Sequence, residues 1–483
     1  MSLGKMLLAK ELINAEQLRT AQARQKVAGG PLEENLVALG FLTQGKLEAL
    51  LQEPPPVPTT IRDTGLDTQF LVKAVLTAMH TSGCQTIPEI AYYIKLSRGI
   101  VEALLEIIRK DKLVEVRGAT DASFTLLRHT LTSIGRERAI EASQQSRYVG
   151  PAPVSLADYK VQVQKQTVTN EKVTSDILSR ALSHLTLPQK ILRQLGPAIN
   201  SGKPILLYGP SGNGKTCAAE AIGQTFQQMI YIPYCIEVDG HLIKIFDPAV
   251  HEEVPSHPLS EDADASLISL RPVEFDPRWV RCRRPTIIAG GELTLAALDL
   301  KLDVLSNDYE APLQVKAAGG VFVIDDFGRQ LVRPQDLLNR WIIPLERQVD
   351  YLTLHTGKKF ALPFDEIVVF STNLSPEDLM DAAFLRRLHY KLRVDPPSIE
   401  DYRTIFRRVC ALHGLELPEI LSYILNVFYP ETGTSRAAFH PRFIVEHVIA
   451  ACNYEGVPPQ LTHNMVNAAL QNLRIVRPAA VEG

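Results

Sequence analysis

Ile205-Leu206-Leu207-Tyr208-Gly209-Pro210-Ser211-Gly212-Asn213-Gly214-Lys215-Thr216 is the stretch that decides the fold. Its first four residues read as a buried strand, and Ala218, Ala219, Ala221 and Ile222 beyond it read as a helix face. Between them stands GxxxxGK[ST] in the strand–loop–helix setting that this motif requires. Glycines allow the backbone to wrap phosphates with its N–H groups at the positive end of a helix. Gly209, Pro210, Ser211, Gly212, Asn213 and Gly214 form that cradle, Lys215 reaches the β- and γ-phosphates, and the Thr216 hydroxyl suits Mg²⁺. The ligand this predicts is ATP with Mg²⁺.

Two later apolar runs end in chemistry that fits the same site. Val321-Phe322-Val323-Ile324 leads into Asp325-Asp326. A carboxylate at a strand end beside the cradle suits the Mg²⁺ shell, which is the role expected of Asp325. The adjacent Asp326 is placed to polarise an attacking water. Ile367-Val368-Val369-Phe370-Ser371-Thr372 ends in Asn373, a side chain able to hydrogen-bond the γ-phosphate or the water.

Working outward, the chain divides into four parts. Residues 1–54 carry a 29-residue internal repeat: Leu3-Gly4, Leu7-Leu8, Leu12, Leu18 and Gln22 recur as Leu32-Glu33, Leu36-Val37, Phe41, Leu47 and Leu51, with helical spacing. Pro54-Pro55-Pro56-Val57-Pro58 reads as a stiff linker. Residues 66–145 read as a winged helix. Its helices begin near Leu66, Thr86 and Ser97, its two strands are expected at 113–116 and 124–127 around Gly118, and a last helix starts near Thr132. After a second linker at Gly150-Pro151-Ala152-Pro153, residues 150–396 alternate strands and helices, as a parallel α/β core does. Residues 397–475 show only helical periodicity, and the tail after Arg474 is expected to fray. The predicted fold class is therefore multidomain: a helical repeat domain, a winged helix, an α/β P-loop core and an all-α lid.

Composition narrows the function. A net charge of −3 gives no global basic field for nucleic acid. No apolar run reaches 18 residues, so no membrane span is expected, and Met1–Leu12 lacks the unbroken apolar stretch of a signal peptide. The six cysteines form no CxxC pair and read as reduced thiols of a cytoplasmic protein.

With these motifs in place, residues 160–475 resemble the AAA+ ATPases. Walker A is 209–216, Walker B is 321–326, and Asn373 matches sensor 1. Ala383-Phe384-Leu385-Arg386-Arg387 is similar to the segment carrying the arginine finger, which acts on ATP in the neighbouring subunit, with Arg386 and Arg387 both open for the role. His440-Pro441-Arg442 resembles sensor 2, with Arg442 on the nucleotide. The expected hairpin of Asp350–Leu354 and Lys359–Pro363 resembles the pre-sensor insertion of the MoxR-like and NtrC-like branch. Two departures stand out. Asp326 occupies the usual position of Glu, one methylene shorter. Lys215 and Asp325 lie 110 positions apart, so 240–315 reads as an insertion. Within it, 289–293 is read as structural rather than as a pore loop, and the arginines at 278, 281, 283 and 284 as solvated or inter-subunit rather than nucleic-acid contacts.

The 29-residue repeat resembles the N-terminal domain of GspE/MshE-type secretion and pilus ATPases, some of which bind cyclic di-GMP. The motif's arginine is Ser2 and Pro31 here, its first glycine is Gly4 and Glu33, and its later glycine is Glu11 and Gly40. A glutamate near a phosphate is unfavourable, so a docking module without that ligand is the better reading. The third helix of the winged helix mixes Arg98, Arg109 and Lys110 with Glu102 and Glu106, which favours protein docking over DNA. The resemblances imply a homo-oligomeric ring, a hexamer, that hydrolyses ATP to remodel a protein client, with a pilus or secretion apparatus as the client they point to. A nucleotide-gated scaffold with weak hydrolysis and a DNA-associated regulator stand as alternatives.

Overall fold

Five apolar runs make one all-parallel sheet: β1 (Ile205–Tyr208), β2 (Thr286–Ala289), β3 (Val321–Ile324), β4 (Ile367–Thr372) and β5 (Tyr390–Arg393), in the order β5-β1-β4-β3-β2. The computed structural model describes residues 4, 7–8, 11–28, 32–117, 127–255, 274–416 and 420–473. Side chains from alternate faces fill two cores. Ile205, Leu207, Val321, Val323 and Val369 point to one, and Leu206, Phe322, Ile324, Val368 and Phe370 to the other. Helices on both faces account for strands that are apolar along their whole length.

The expected insertion is corrected in one respect: Thr286–Ala289 is β2 of the central sheet, paired in parallel with β3 from Val321↔Thr286 to Ile324↔Ala289. The described remainder of 230–310 is an organised β module. Lys301–Asp303, Asp308–Glu310, His241–Lys244, Cys235–Val238 and Val154–Ser155 form a mixed sheet in that order, beside an antiparallel pair of Ile230–Pro233 and Trp279–Cys282. Its core of Ile236, Ile243, Trp279 and Tyr309 also takes Leu352 and Phe360. Those two residues belong to the expected hairpin, observed as Val349–Thr353 paired with Lys359–Pro363.

The 29-residue repeat is visible bond by bond. Glu11 N–H donates to Leu8 O and Leu12 N–H to Leu7 O; Gly40 to Val37 and Phe41 to Leu36 repeat the pattern, as Leu47 to Thr43 repeats Leu18 to Asn14. The two helix ends turn through the same left-handed conformation, at φ 56° for Glu11 and 71° for Gly40. Ser2, Pro31 and the tail after Arg474 lie outside the described residues.

Residues 66–145 form helices Thr68–Thr81, Ile87–Ile94 and Arg98–Lys110, a strand pair and helix Ser133–Gln145 around Leu71, Val75, Ile90, Val101 and Leu104. Thr86 closes a capping box with Glu89, and Ser97 and Thr132 cap the later helices. The strand expected at 124–127 is observed at Arg128–Leu131, opposite Val114–Arg117. Pairing sets this register: Leu131 faces Val114, while His129 N–H donates to Gln85 O and the His129 ring is buried. Gly118 and Phe124–Leu126 lie outside the described residues.

Neither expected linker hangs free. Pro55 and Pro58 are buried, Pro55 O accepts from Asp276 N–H, and Val154–Ser155 joins the β module. Arg278 is the fastener, and not a solvated charge. At 2% exposure it grips Asp276, also 2% exposed, through Nε and Nη2, while Nη1 donates to Thr64 O at 3.4 Å and Pro153 O at 2.9 Å. Arg284 is likewise buried, against Glu171. Removing one partner of a buried pair strands the other charge. Arg278→Ala is therefore expected to cost about 3–5 kcal/mol in urea denaturation and to open both linkers to protease. Unchanged stability and unchanged cleavage at 54–65 and 146–153 would contradict this role.

Candidate nucleotide site

The cradle follows β1 directly and opens helix α1 (Lys215–Gly223). Its turn needs three positive-φ glycines, at 133° for Gly209, 76° for Gly212 and 85° for Gly214. Gly214 precedes α1 and offers it no side-chain cap, so the helix's first N–H groups are left for an anion. Lys215 Nζ lies 2.9 Å from the carbonyls of both Gly209 and Pro210, which hold the ammonium in the loop. Burial lowers its pKa, and the charges of Asp326 and then Asp325 oppose that shift. Both carboxylates thus face the lysine.

The strand order explains why. β4 lies between β1 and β3, so the tips of all three converge. Thr216 Oγ1 sits 2.9 Å from each carboxylate oxygen of Asp325. One hydroxyl and one carboxylate are a donor set that suits Mg²⁺, an ion that keeps most of its shell as water and phosphate oxygen. Asn373 Oδ1, at the tip of β4, is buried with no hydrogen-bond partner among the described residues. A ligand or water donating to it would relieve a cost of about 1–3 kcal/mol. The cradle, the unpaired Asn373 oxygen and the Thr216–Asp325 pair together fit ATP and Mg²⁺.

Asp326 is exposed at φ 47°. Asp tolerates this left-handed conformation better than most residues with a Cβ. A longer glutamate here would gain reach at the expense of the backbone. The acid loop is braced by Gln330: its Nε2 donates to Asp325 O at 2.9 Å, Asp326 O at 3.3 Å and Gly290 O at 3.4 Å, and its Oε1 accepts from Gly328 N–H. Phe327 N–H donates to Ser371 O and Thr372 Oγ1 to Phe327 O, tying the loop to β4.

The C-terminal helical unit rests directly on the cradle. Ala438 N–H donates to Asn213 Oδ1 at 3.1 Å and Phe439 N–H to Gly212 O at 3.0 Å. A Cβ at Gly212 would stand 2.3 Å from the Phe439 ring. Helix α3 (His440–Glu455) starts here with Pro441 in its first turn. His440 is a buried strut. Its Nδ1 accepts from Ala437 N–H at 3.3 Å and so carries no proton; the Tyr429 hydroxyl at 2.7 Å therefore donates to it, with Tyr402 Oη 2.8 Å behind. Arg442 is 74% exposed, bound to Glu446 at 2.7 Å, and its charge acts on Cys217 of α1, so it lies over the nucleotide side of the core. Sequence periodicity carried no signal for Phe439 or for the bridging role of Asn213.

Arg386 and Arg387 end helix α2 in chain order between these, Ala382–Arg387, and contact neither the cradle nor the acid loop among the described residues. They differ in commitment. Arg387 pairs with Glu346 and donates to Ala383 O. Arg386 is exposed and uses only Nε, toward Ala382 O, leaving its two terminal nitrogens unpaired among the described residues.

Residues 398–472, the helical unit, match a family described as a domain of unknown function (DUF8689). NtrX from Brucella abortus in complex with ADP is similar at 15% identity and TM-score 0.36, over 63% of this chain and 60% of NtrX. The chain thus spans less than two thirds of the length of that protein. RuvB from Thermotoga maritima, a Holliday junction branch migration motor, is similar at 14% identity and TM-score 0.32, over 60% and 70%. Domain III of the Thermotoga maritima replication initiation protein DnaA is similar at 13% and 0.33, over 61% and 96%. At such TM-scores these likenesses carry no weight, and the reading rests on the geometry above. Among the described residues no helix is long and apolar enough to cross a membrane.

Burial holds the folded-state pKa of His440 down at about 4. Below pH 6.5 the unfolded chain takes up a proton that the folded lid refuses until about pH 4, so stability falls with pH across that window. The loss between pH 7 and pH 5, read by thermal unfolding, should be about 2 kcal/mol larger for wild type than for His440→Gln, since His129 and His251 are also held down by burial in both proteins. Equal losses in both proteins would place the titration elsewhere.

Proposed function

We propose that this chain is an AAA+ ATPase that hydrolyses ATP in a homo-oligomeric ring, with the hexamer as the expected size. The observation that carries the proposal is the convergence of Lys215, Thr216, Asp325, Asp326 and Asn373 at adjacent strand tips under a lid segment bonded to the cradle. ATP would lie with its phosphates in the loop 209–216. Lys215 would neutralise the β- and γ-phosphates, and Arg442 would approach from the lid. Mg²⁺, held by Thr216 and Asp325, would neutralise charge developing on the phosphates. Asp326 would orient and deprotonate the water, and Asn373 would fix the water or the γ-phosphate through its uncommitted oxygen.

The proposal assigns the finger to Arg386, because Arg387 is already bound to Glu346. An exposed cation with free terminal nitrogens can serve a site in the next subunit, where it would stabilise charge in the transition state. The hairpin of Val349–Thr353 and Lys359–Pro363 supports the MoxR/NtrC-like branch. The repeated hydrogen bonds of the front helices support the GspE/MshE-like reading, with a docking role toward a protein client such as a pilus or secretion component. Residues 66–145 form a winged helix in this reading and dock protein rather than DNA.

Mixing two dead variants tests the shared site. Lys215→Ala loses the cradle's cation and Arg386→Ala the finger, so each alone is inactive. Equal mixing restores about a quarter of wild-type turnover if rings assemble at random, because one junction in four has both intact partners. Arg387→Ala keeps Lys215 and Arg386 intact and loses only a partly exposed pair with Glu346, so by itself it should retain turnover. No recovery in the Arg386 mixture would refute the trans assignment.

A further inference from the structure

A second site lies at the other end of α1 from the cradle. α1 has nine residues, a rise of about 13 Å, and just beyond it a cavity of about 370 Å³ opens between the end of the front helical repeat and the β module. The volume falls within the range of small-molecule sites. Its walls carry three cations, Lys165, Arg281 and Arg284, against one carboxylate, Glu53. Two of the cations are built in. Arg284 is buried, held by Glu171 and by the carbonyls of Gln166 and Gly319, and Lys165 is buried with Glu53 3.7 Å away. Arg281 is different: it is half-buried, and its guanidinium has no partner among the described residues. Glu274 acts on the neighbouring Tyr231 but is not part of the lining.

Amides supply the rest. Gln166 is zipped to the backbone of Tyr231 through both its Oε1 and its Nε2, and Gln162 donates to Gln166. Gln52, Gln227 and Gln228 line the same cavity with side chains that make no hydrogen bond among the described residues. Glu171 offsets Arg284 and Glu53 offsets Lys165, which leaves Arg281 as the uncompensated charge that favours an anion, and a free guanidinium matches phosphate geometry in a bidentate fork. Uncommitted amides present donor and acceptor side by side, the pattern that reads a base edge. Tyr231 adds an aromatic wall, fixed edge-on by Phe275 at 5.0 Å.

We propose that this cavity binds a nucleoside monophosphate, with Arg281 on the phosphate and the free glutamines on the base. Leu51, Gln52 and Glu53 come from the front unit and the remaining walls from the core, so the ligand would bridge the two and report a nucleotide pool to the motor. This site is distinct from the P-loop, and binding there does not depend on the catalytic reading, whereas a report to a motor rests on it.

Isothermal titration of the full-length Lys215→Ala protein with AMP, GMP, CMP and UMP, and with inorganic phosphate as the anion alone, tests it. At least one nucleotide should bind at one per chain. Adding Arg281→Ala should weaken that binding at least about tenfold, with partial recovery in Arg281→Lys. Gln227→Glu, on an exposed position that packs nothing away, should abolish it by charge and guards against misfolding of the arginine variant. Three results would overturn the proposal: no binding at about millimolar nucleotide, binding unaffected by both Arg281→Ala and Gln227→Glu, or phosphate alone binding as tightly as every nucleotide.

Discussion

Burying a sheet on both faces leaves its polar chemistry only one place to go. Leu206, Phe322, Ile324, Val369 and Phe370 are fully buried, and none of the strands that carry them can hold a charge along its length. Carboxylates, amide and cradle are therefore gathered where β1, β3 and β4 stop. The order β1-β4-β3 then does what no single motif can. It sets the tip of β4, where Asn373 Oδ1 is buried and unpaired among the described residues, between the phosphate loop and the acids.

Two braces matter most. Gln330 ties the acid loop to the end of β2 through three backbone carbonyls, which explains how Asp326 is held at φ 47°. The other is the lid. Tyr402, Tyr429 and His440 form a buried relay of hydrogen bonds that fixes the start of α3, and the two residues before α3 bond to Gly212 and Asn213. A cradle that shifts around phosphates must move this segment or break two hydrogen bonds. Any coupling between a bound nucleotide and the helical unit would run through these two hydrogen bonds as well as through Arg442.

Much of this was legible in the chain, for stated reasons. The cradle and the strand before it announce themselves, because few residue types tolerate the turn. The runs ending in Asp325-Asp326 and Asn373 show as unbroken apolar stretches, and the hairpin at 349–363 as two alternating segments around Gly357. The repeat was legible as a fixed shift, and its hydrogen bonds follow that shift. What escaped was tertiary. Thr286–Ala289 is four residues long and follows an arginine-rich run, so nothing local marks it as a member of the central sheet. Arg278 and Arg284 read as surface charges because their partners, Asp276 with two linker carbonyls and Glu171, become neighbours only after folding. Phe439 left no periodic signal, since it serves a loop more than two hundred residues away. The difference between Arg386 and Arg387 also needed the structure, because it lies in the bonds Arg387 makes to Glu346 and to Ala383 O.

The central claim is a site completed between subunits. Steady-state ATP turnover per chain, measured against protein concentration, tests it most directly. The account predicts specific activity that climbs cooperatively as the chains assemble and then levels off. Turnover per chain that stays flat from dilute monomer to assembled ring, or ATP binding with no turnover at any concentration, would contradict it.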